Sequence, residues 1–248
     1  MSKKANYSYI SIAFIVLVFG IIFIPRIIDR ISKDDITRDE SRSEEVAVKA
    51  SKETPDLVYI LINGENRKVP AFSFTDQNGN TVTNEDYLGK VYVVEFFFTT
   101  CPTICPRMNR NLVDIQNEFK GFEDFGVASF TINPEYDTQE ILKEYAEKYG
   151  VTNPNWHFMT GKEKDIYDLA NNGFNIYAGK NVDVEGGFEH SGNFALIDKE
   201  GYIRSRKDAY GNPMIYYSGV ISQEEGEEDG QKEQITILKE DIAKLLKE

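Results

Sequence analysis

The stretch ValTyrValValGluPhePhePheThrThrCysProThrIleCysProArgMet (91–108) decides the fold. Its first eight residues are mostly apolar strand formers, a pattern typical of a central strand covered on both faces. Two cysteines follow, and Pro106 opens a helix predicted to extend to about Lys120. Because a proline after each cysteine disfavours helical geometry, Cys105 is expected to cap that helix and Cys101 to lie on the loop before it. The sequence therefore predicts both thiols on a strand-to-helix loop.

The flanking sequence predicts an α/β fold. Strand 125–132 follows the first helix, and a strand–helix–strand unit of this kind forms a parallel pair with a right-handed crossover. Asp137-Thr138-Gln139-Glu140 resembles a capping box that starts a second helix ending at Gly150. The other predicted strands are 57–62, the hairpin 71–75 with 80–83, 174–178, 193–197 and 202–206, and the other predicted helices are 163–171 and 235–246.

The two cysteines point to chemistry rather than to structural cross-linking. Cys101 and Cys105 are the only cysteines among 248 residues, and a bridge between them would close a loop too short to add much stability. A thiol at a helix N-terminus is favoured as thiolate, the form that binds soft metals and attacks disulfides. The residues alone leave both uses open.

The N-terminal region has the pattern of a membrane anchor. Residues 5–25 carry no charge, and at about 1.5 Å per residue they reach roughly 30 Å, the thickness of a bilayer core. A cleaved signal peptide is the alternative, but no small-x-small cleavage pattern follows the apolar stretch. Residues 31–56 are charged and almost free of aromatics, which is typical of a solvated tether. We therefore expect an anchor at 1–30, a tether at 31–56 and one folded domain at 57–248.

Charge and composition exclude several classes of protein. The chain has 28 Lys and Arg against 41 Asp and Glu, giving −13, with 41% hydrophobic residues. These values are typical of a globular protein and unfavourable for binding a phosphate backbone, so no nucleic-acid partner is expected. The first 30 residues carry +3, which leaves −16 on the remainder. Part of this charge lies in the predicted acidic loop 222–231.

The quoted stretch resembles the signature of the Sco/SenC family, membrane-anchored copper proteins of cytochrome c oxidase assembly with a thioredoxin-like fold. The resemblance covers about residues 68–206. It implies that Cys101, Cys105 and His190 bind copper. It rests also on PheSerPheThrAspGlnAsnGly (72–79), Gly89-Lys90, AsnProGluTyrAspThr (133–138), residues 156–161 and PheGluHisSerGlyAsnPheAlaLeuIleAsp (188–198).

The chain departs from the family pattern at two positions. Asn133 stands where the family usually has an aspartate, and Glu189 stands where an aspartate commonly precedes the histidine. Glu189 is a candidate for orienting the imidazole of His190. Neither departure removes an implied metal ligand.

The donor types are consistent with copper on their own chemistry. Two thiolates and one imidazole suit Cu(I), and the same set is compatible with Cu(II). Structural zinc usually has four protein ligands, whereas this chain has only two cysteines and two histidines. The second histidine, His157, falls on a predicted strand with Trp156 and Phe158 on the opposite face, which indicates a structural role.

Together with the anchor pattern and the donor types, the resemblance implies a membrane-anchored copper chaperone that delivers copper to the binuclear site of the copper-bearing subunit of a respiratory cytochrome c oxidase. Its soluble domain is expected on the periplasmic side of the cell membrane. The alternative is a thiol:disulfide oxidoreductase in which Cys101 and Cys105 form the redox-active pair that reduces the target cysteines. A redox or copper sensor is a third hypothesis.

Overall fold

The computed structural model describes residues 57–62, 64–208 and 210–248, together with Leu17 and Phe19. Leu17 and Phe19 are helical and exposed. Within these described parts of the chain, no helix has the length and apolar character needed to cross a membrane. The predicted anchor, apart from those two residues, and the predicted tether lie outside the described residues. Their boundaries stay predictions.

The strands and helices follow one another as a mixed α/β chain. A 3₁₀ turn covers Asn84–Tyr87 and a π-helical turn covers Leu169–Phe174. The strands are β1 Val58–Tyr59, β2 Leu61–Ile62, β3 Glu65–Asn66, β4 Ser73–Asp76, β5 Thr81–Thr83, β6 Val91–Phe97, β7 Phe125–Thr131, β8 Trp156–Thr160, β9 Ala178–Lys180, β10 Phe188–His190, β11 Asn193–Ile197, β12 Ile203–Ser205, β13 Tyr217–Ser218, β14 Glu227–Glu228 and β15 Gln231–Lys232. The helices are α1 Cys105–Glu118, α2 Gln139–Tyr149, α3 Glu163–Asp168 and α4 Ile235–Leu245.

A mixed sheet forms the centre of the unit that extends from Thr54 to Glu248. Its strand order is β1-β12-β11-β6-β7-β8-β4-β5, and β13 pairs with β11. β6 runs parallel to β7, and β7 runs parallel to β8, whereas β11 and β4 join the sheet antiparallel. The strand–helix–strand prediction around α1 is therefore confirmed.

The two central strands are covered on both faces. All seven residues of β6 and all seven of β7 are buried, as the apolar run at 91–98 predicts. α1 packs through Leu112 and Ile115, and α4 packs through Leu238 and Ile242. This packing holds the C-terminal end of β6, where the cysteines follow, on a rigid support.

Three local predictions were wrong in their boundaries. The first helix begins at Cys105, with Ile104 as its N-cap. Pro106 is thus the second helical residue, where the missing N–H of proline costs no hydrogen bond within the helix. The predicted strand 57–62 is interrupted at Ile60, and β2 folds back onto β3 as a hairpin. The predicted strand 174–178 is replaced by the end of the π-helical turn, after which Asn175 adopts a left-handed conformation with φ 55°.

The predicted acidic loop 222–231 contains more order than its charge indicates. β14 and β15 form a short antiparallel hairpin within and just beyond it. Arg107 of α1 donates to Glu228 at 2.6 Å and also pairs with Glu225 at 3.1 Å. The ion pairs attach the loop to the first turn of the cysteine-bearing helix.

Candidate metal centre

The two cysteines lie where β6 gives way to α1. The Cys101 N–H donates to the carbonyl of Phe98 at 3.2 Å, which turns the chain directly after the strand. Four residues later, the Cys105 N–H points back at the Cys101 sulfur at 3.5 Å. Cys101 is 7% exposed and Cys105 is fully buried. The short spacing thus folds both sulfurs onto the same end of the helix.

His190 reaches the cysteines from the end of a separate hairpin. It is the last residue of β10, paired with Ala178 of β9. Gly186 and Gly187 in the connecting loop have φ values of 91° and 77°, a left-handed conformation that favours glycine. The fold therefore brings a residue 85 positions away in sequence to within 3.1 Å, from its Nε2 to the Cys105 sulfur.

The imidazole of His190 is oriented by the backbone. Its Nδ1 lies 3.2 Å from the Ser191 carbonyl oxygen, which can only accept a hydrogen bond. The proton therefore belongs on Nδ1, and the lone pair of Nε2 faces the sulfurs. Glu189, the residue expected to orient this ring, instead accepts a hydrogen bond from the Asn181 side chain at 3.0 Å.

The three predicted donors come together as one group. The two sulfurs and one ring nitrogen of Cys101, Cys105 and His190 all lie within 4.8 Å of one another, and all three residues are buried. Among the described residues, no other group of three such side chains is close enough to hold a metal ion. Two soft sulfurs and a neutral nitrogen fit copper, and no fourth protein donor completes a structural zinc site within this part of the chain.

The two thiols differ strongly in acidity. The hydrogen bond from the Cys105 thiol lowers the pKa of Cys101 to about 3, and hydrogen bonds from the backbone N–H groups of Cys105 and Thr103 act in the same direction. Burial raises the pKa of Cys105, and the neighbouring Cys101 sulfur raises it further. In the metal-free protein, Cys101 is therefore the thiolate and Cys105 keeps its proton.

One side of the group is open to incoming molecules. Cys101 and His190 line a cavity of about 180 Å³, together with Phe98, Ile104 and Phe188. Cys105 does not line it. A metal ion or a target disulfide thus meets the Cys101 thiolate first.

A buried carboxyl group in the strand that precedes the cysteines was missed by the sequence analysis. Glu95 in β6 is fully buried, and its Oε1 accepts a hydrogen bond from Ser129 at 2.6 Å. Ser129 in turn accepts from the Trp156 indole at 2.9 Å. Burial raises the pKa of Glu95 to about 8 despite the Ser129 hydrogen bond. The single charge inside the apolar run 91–98 was the available signal.

The remaining singled-out residues serve the fold. His157 lies on β8, and its Nδ1 pairs with the buried Asp76 at 3.0 Å, as its predicted structural role requires. The backbone N–H of Asn133 donates to the Thr131 hydroxyl at 3.0 Å. Thr138, rather than Asp137, caps α2 by accepting from the Ile141 N–H at 3.5 Å.

Comparison with known proteins places this chain in one family. Residues 62–220 match the family model described as SCO1/SenC. A SCO1 protein homolog of Bacillus subtilis is 33% identical over 159 residues, which is 63% of this chain and 81% of that protein.

Two solved structures share the fold. A SCO1/SenC family lipoprotein from Bacillus anthracis aligns with a TM-score of 0.60 and 28% identity, covering 75% of this chain and 99% of that one. BsSco, described as a member of the Sco family of cytochrome c oxidase assembly proteins with a disulfide switch, aligns with a TM-score of 0.58 and 26% identity, covering 75% and 97%. The mixed sheet is thus the thioredoxin-like fold of Sco proteins, and with a family model matched over most of its folded part this chain belongs to the SCO1/SenC family.

Proposed function

We propose that this protein binds copper through Cys101, Cys105 and His190 and delivers it to the binuclear copper site of a respiratory cytochrome c oxidase. The observation that carries the proposal is the convergence of two sulfurs and a correctly oriented imidazole nitrogen within 4.8 Å. The family membership supports it, because the related BsSco is described as belonging to the cytochrome c oxidase assembly proteins.

The geometry suggests how the chain's own groups handle the cargo. The Cys101 thiolate and His190 are accessible from the cavity, so copper enters and leaves on that side. Cys105 must lose its proton to become a ligand, since only the thiolate binds soft metals well. Binding is thereby accompanied by proton release.

We further propose that the domain is held at the extracytoplasmic face of the membrane by residues 1–30, with residues 31–56 as the tether. The support is the uncharged stretch 5–25, together with the description of the Bacillus anthracis relative as a lipoprotein. The acidic loop and the net charge of −16 beyond residue 30 then face the compartment in which the oxidase subunit exposes its copper site.

Metal transfer tests the function directly. Copper-loaded protein is mixed with the purified, metal-free soluble domain of the oxidase copper-bearing subunit, and the absorption of the binuclear centre is followed. We expect the centre to form, and we expect that the Cys105→Ser variant loaded under the same conditions does not support it. Formation at the same rate with the variant would contradict the assignment.

A thiol:disulfide oxidoreductase is the second candidate, favoured by the low pKa of Cys101 and by the disulfide switch described for BsSco. The Cys101 thiolate would attack a target disulfide, and Cys105 would then displace the target thiol to leave a Cys101–Cys105 disulfide. Turnover of the oxidised target with metal-free protein and a thiol reductant distinguishes the two functions. Catalytic reduction without copper, combined with no metal transfer, would favour this second function.

A further inference from the structure

Asp137 is a fully buried carboxylate that lies outside the metal group. It accepts a hydrogen bond from the backbone N–H of Thr99 at 3.1 Å. It also accepts from the hydroxyl groups of Thr99 and Thr131. The sequence pattern predicted that Asp137 contributes to a helix cap, but Thr138 performs that role.

These hydrogen bonds join three elements at one point. Thr99 follows β6 and stands two residues before Cys101, Thr131 is the last residue of β7, and Asp137 immediately precedes the cap of α2. The Asp137 N–H also donates to the Asn133 carbonyl at 2.9 Å, which fixes the turn that presents the carboxylate. Asp137 therefore connects the start of the cysteine loop to two rigid parts of the core.

The placement of this carboxylate is unfavourable in isolation. Burial raises the pKa of Asp137 in spite of the hydrogen bonds from Thr131 and Thr99. A buried charged group is retained at an energetic cost unless its hydrogen bonds are satisfied. A carboxylate that caps a helix or lies in a surface turn does not need to be buried. The burial of Asp137, together with its hydrogen bonds to Thr99, therefore fits a carboxylate that holds Thr99 in place.

The position of Thr99 matters for the donors because the loop that follows it contains both the Cys101 sulfur and its local hydrogen-bond partners. The Cys105 N–H contacts that sulfur at 3.5 Å, and the Thr103 hydroxyl lies 3.7 Å from it. The distances to Cys105 and His190 are therefore set by where the loop begins. A small displacement of Thr99 moves Cys101 relative to the other two donors.

We propose that Asp137 is a positioning residue that fixes the beginning of the 99–105 loop and so sets the geometry of the Cys101, Cys105 and His190 donor group. The part of this inference that concerns copper rests on the proposed function. The part that concerns the loop does not, and it can be measured in metal-free protein.

The test uses the full chain with the substitutions Asp137→Asn and Thr99→Val. Amide hydrogen exchange of residues 99–105 is measured without metal, and the Cu(II)–thiolate absorption spectrum and copper affinity are measured after loading. We expect at least about tenfold faster exchange at Thr99, an altered charge-transfer spectrum and at least about tenfold weaker copper binding, which corresponds to about 1.4 kcal/mol. Thr99→Ser keeps the hydroxyl group and should restore the wild-type values.

Asp76→Asn is the matched control. Asp76 is also fully buried, and it accepts hydrogen bonds from the backbone N–H groups of Asn78 and Asn80. Its carboxylate pairs with His157, and it lies outside the metal group. The substitution Asp76→Asn should lower the melting temperature while leaving amide exchange at residues 99–105 and the copper spectrum unchanged. If Asp137→Asn fails to fold, Thr99→Val provides the same measurement.

Two results would overturn the inference. The first is wild-type exchange and an unchanged spectrum in both Asp137→Asn and Thr99→Val. The second is an equal change in Asp76→Asn, which would reduce the effect to general destabilisation. If wild-type protein failed to bind copper, the proposed function would fail, whereas the exchange measurement would still decide whether Asp137 holds the loop.

Discussion

At the scale of single residues, the two histidines show how context separates a candidate ligand from a structural group. His190 directs Nε2 at the Cys105 sulfur, with Nδ1 held by a backbone carbonyl. His157 directs Nδ1 at the buried Asp76 and packs its ring edge-on against Tyr87. The strand pattern around Trp156 was sufficient to predict the role of His157, whereas the approach of His190 to the cysteines followed only from the family resemblance.

Removing each imidazole should therefore have different consequences. His190→Ala deletes one of three donors, and we expect copper affinity to fall by at least about tenfold, or about 1.4 kcal/mol, with the larger loss for Cu(II). His157→Ala should keep copper affinity and lower stability through the loss of its pairing with Asp76. Competition titrations with Cu(I) and Cu(II) chelators measure the copper affinity of both variants. Equal, small effects on affinity would contradict the ligand assignment.

The buried Glu95 should give the stability of the protein a distinct pH dependence. Its folded-state pKa is about 8, against 4.5 for an unperturbed glutamate. Because the folded protein holds the Glu95 proton more tightly than the unfolded chain does, the contribution of Glu95 to stability is fully present below the unfolded pKa. It is lost as the pH rises from there through the folded pKa. The free energy of unfolding should therefore fall by about 1.4 kcal/mol per pH unit between those values.

Glu95→Gln removes the titrating group and should remove that fall. Urea denaturation of wild type and variant at intervals from pH 5 to pH 9 gives the difference, in which the contributions of other groups cancel. A difference that stays constant over this range would show that Glu95 does not keep its proton in the folded protein.

At the scale of elements, the limits of prediction have identifiable physical causes. The apolar run 91–98 predicted β6 correctly because full burial requires it, and the parallel β6–β7 pair followed from the helix between them. The predicted strand 174–178 failed because hydrogen bonds to side chains outside it hold that segment: the Tyr216 hydroxyl donates to the Phe174 carbonyl, and the Ala178 N–H donates to the Asn171 side chain. Asp137 was assigned to a cap because its partner Thr99 is 38 residues away in sequence.

The hairpin of β14 and β15 provides a test at this scale. Arg107 joins it to α1 through side chains that are 25% exposed for Arg107 and 46% and 47% exposed for Glu225 and Glu228. Since exposed ion pairs contribute little, Arg107→Ala should lower the free energy of unfolding by less than about 1 kcal/mol. Amide exchange in the hairpin should nevertheless become faster, as it should in wild type at high salt.

A matched control is Lys164→Ala, which removes the exposed Lys164–Asp168 pair and should leave the hairpin unaffected. Chemical denaturation and amide exchange of residues 227–232 measure these effects. A loss of stability above about 2 kcal/mol in Arg107→Ala, or unchanged exchange in the hairpin, would refute the role assigned to these ion pairs.

At the scale of the whole molecule, the proposed architecture is a folded domain joined through a charged tether to a membrane anchor. The full chain should stay in the membrane fraction after a carbonate wash, whereas a shortened chain that begins at Thr54 should be soluble and keep its copper affinity. Immunodetection in the washed pellet and supernatant measures the first outcome. Release of the full chain by the wash would refute the anchor.

The central claim is that both cysteine thiols and one imidazole form a copper site. Copper titration of the reduced protein and of the protein oxidised to the Cys101–Cys105 disulfide tests it most directly, because a disulfide sulfur has no thiolate to offer the metal. We predict one copper ion per reduced chain with a thiolate charge-transfer band, loss of this binding on oxidation, and its return with a reductant. Unchanged copper affinity in the fully oxidised protein would contradict the account.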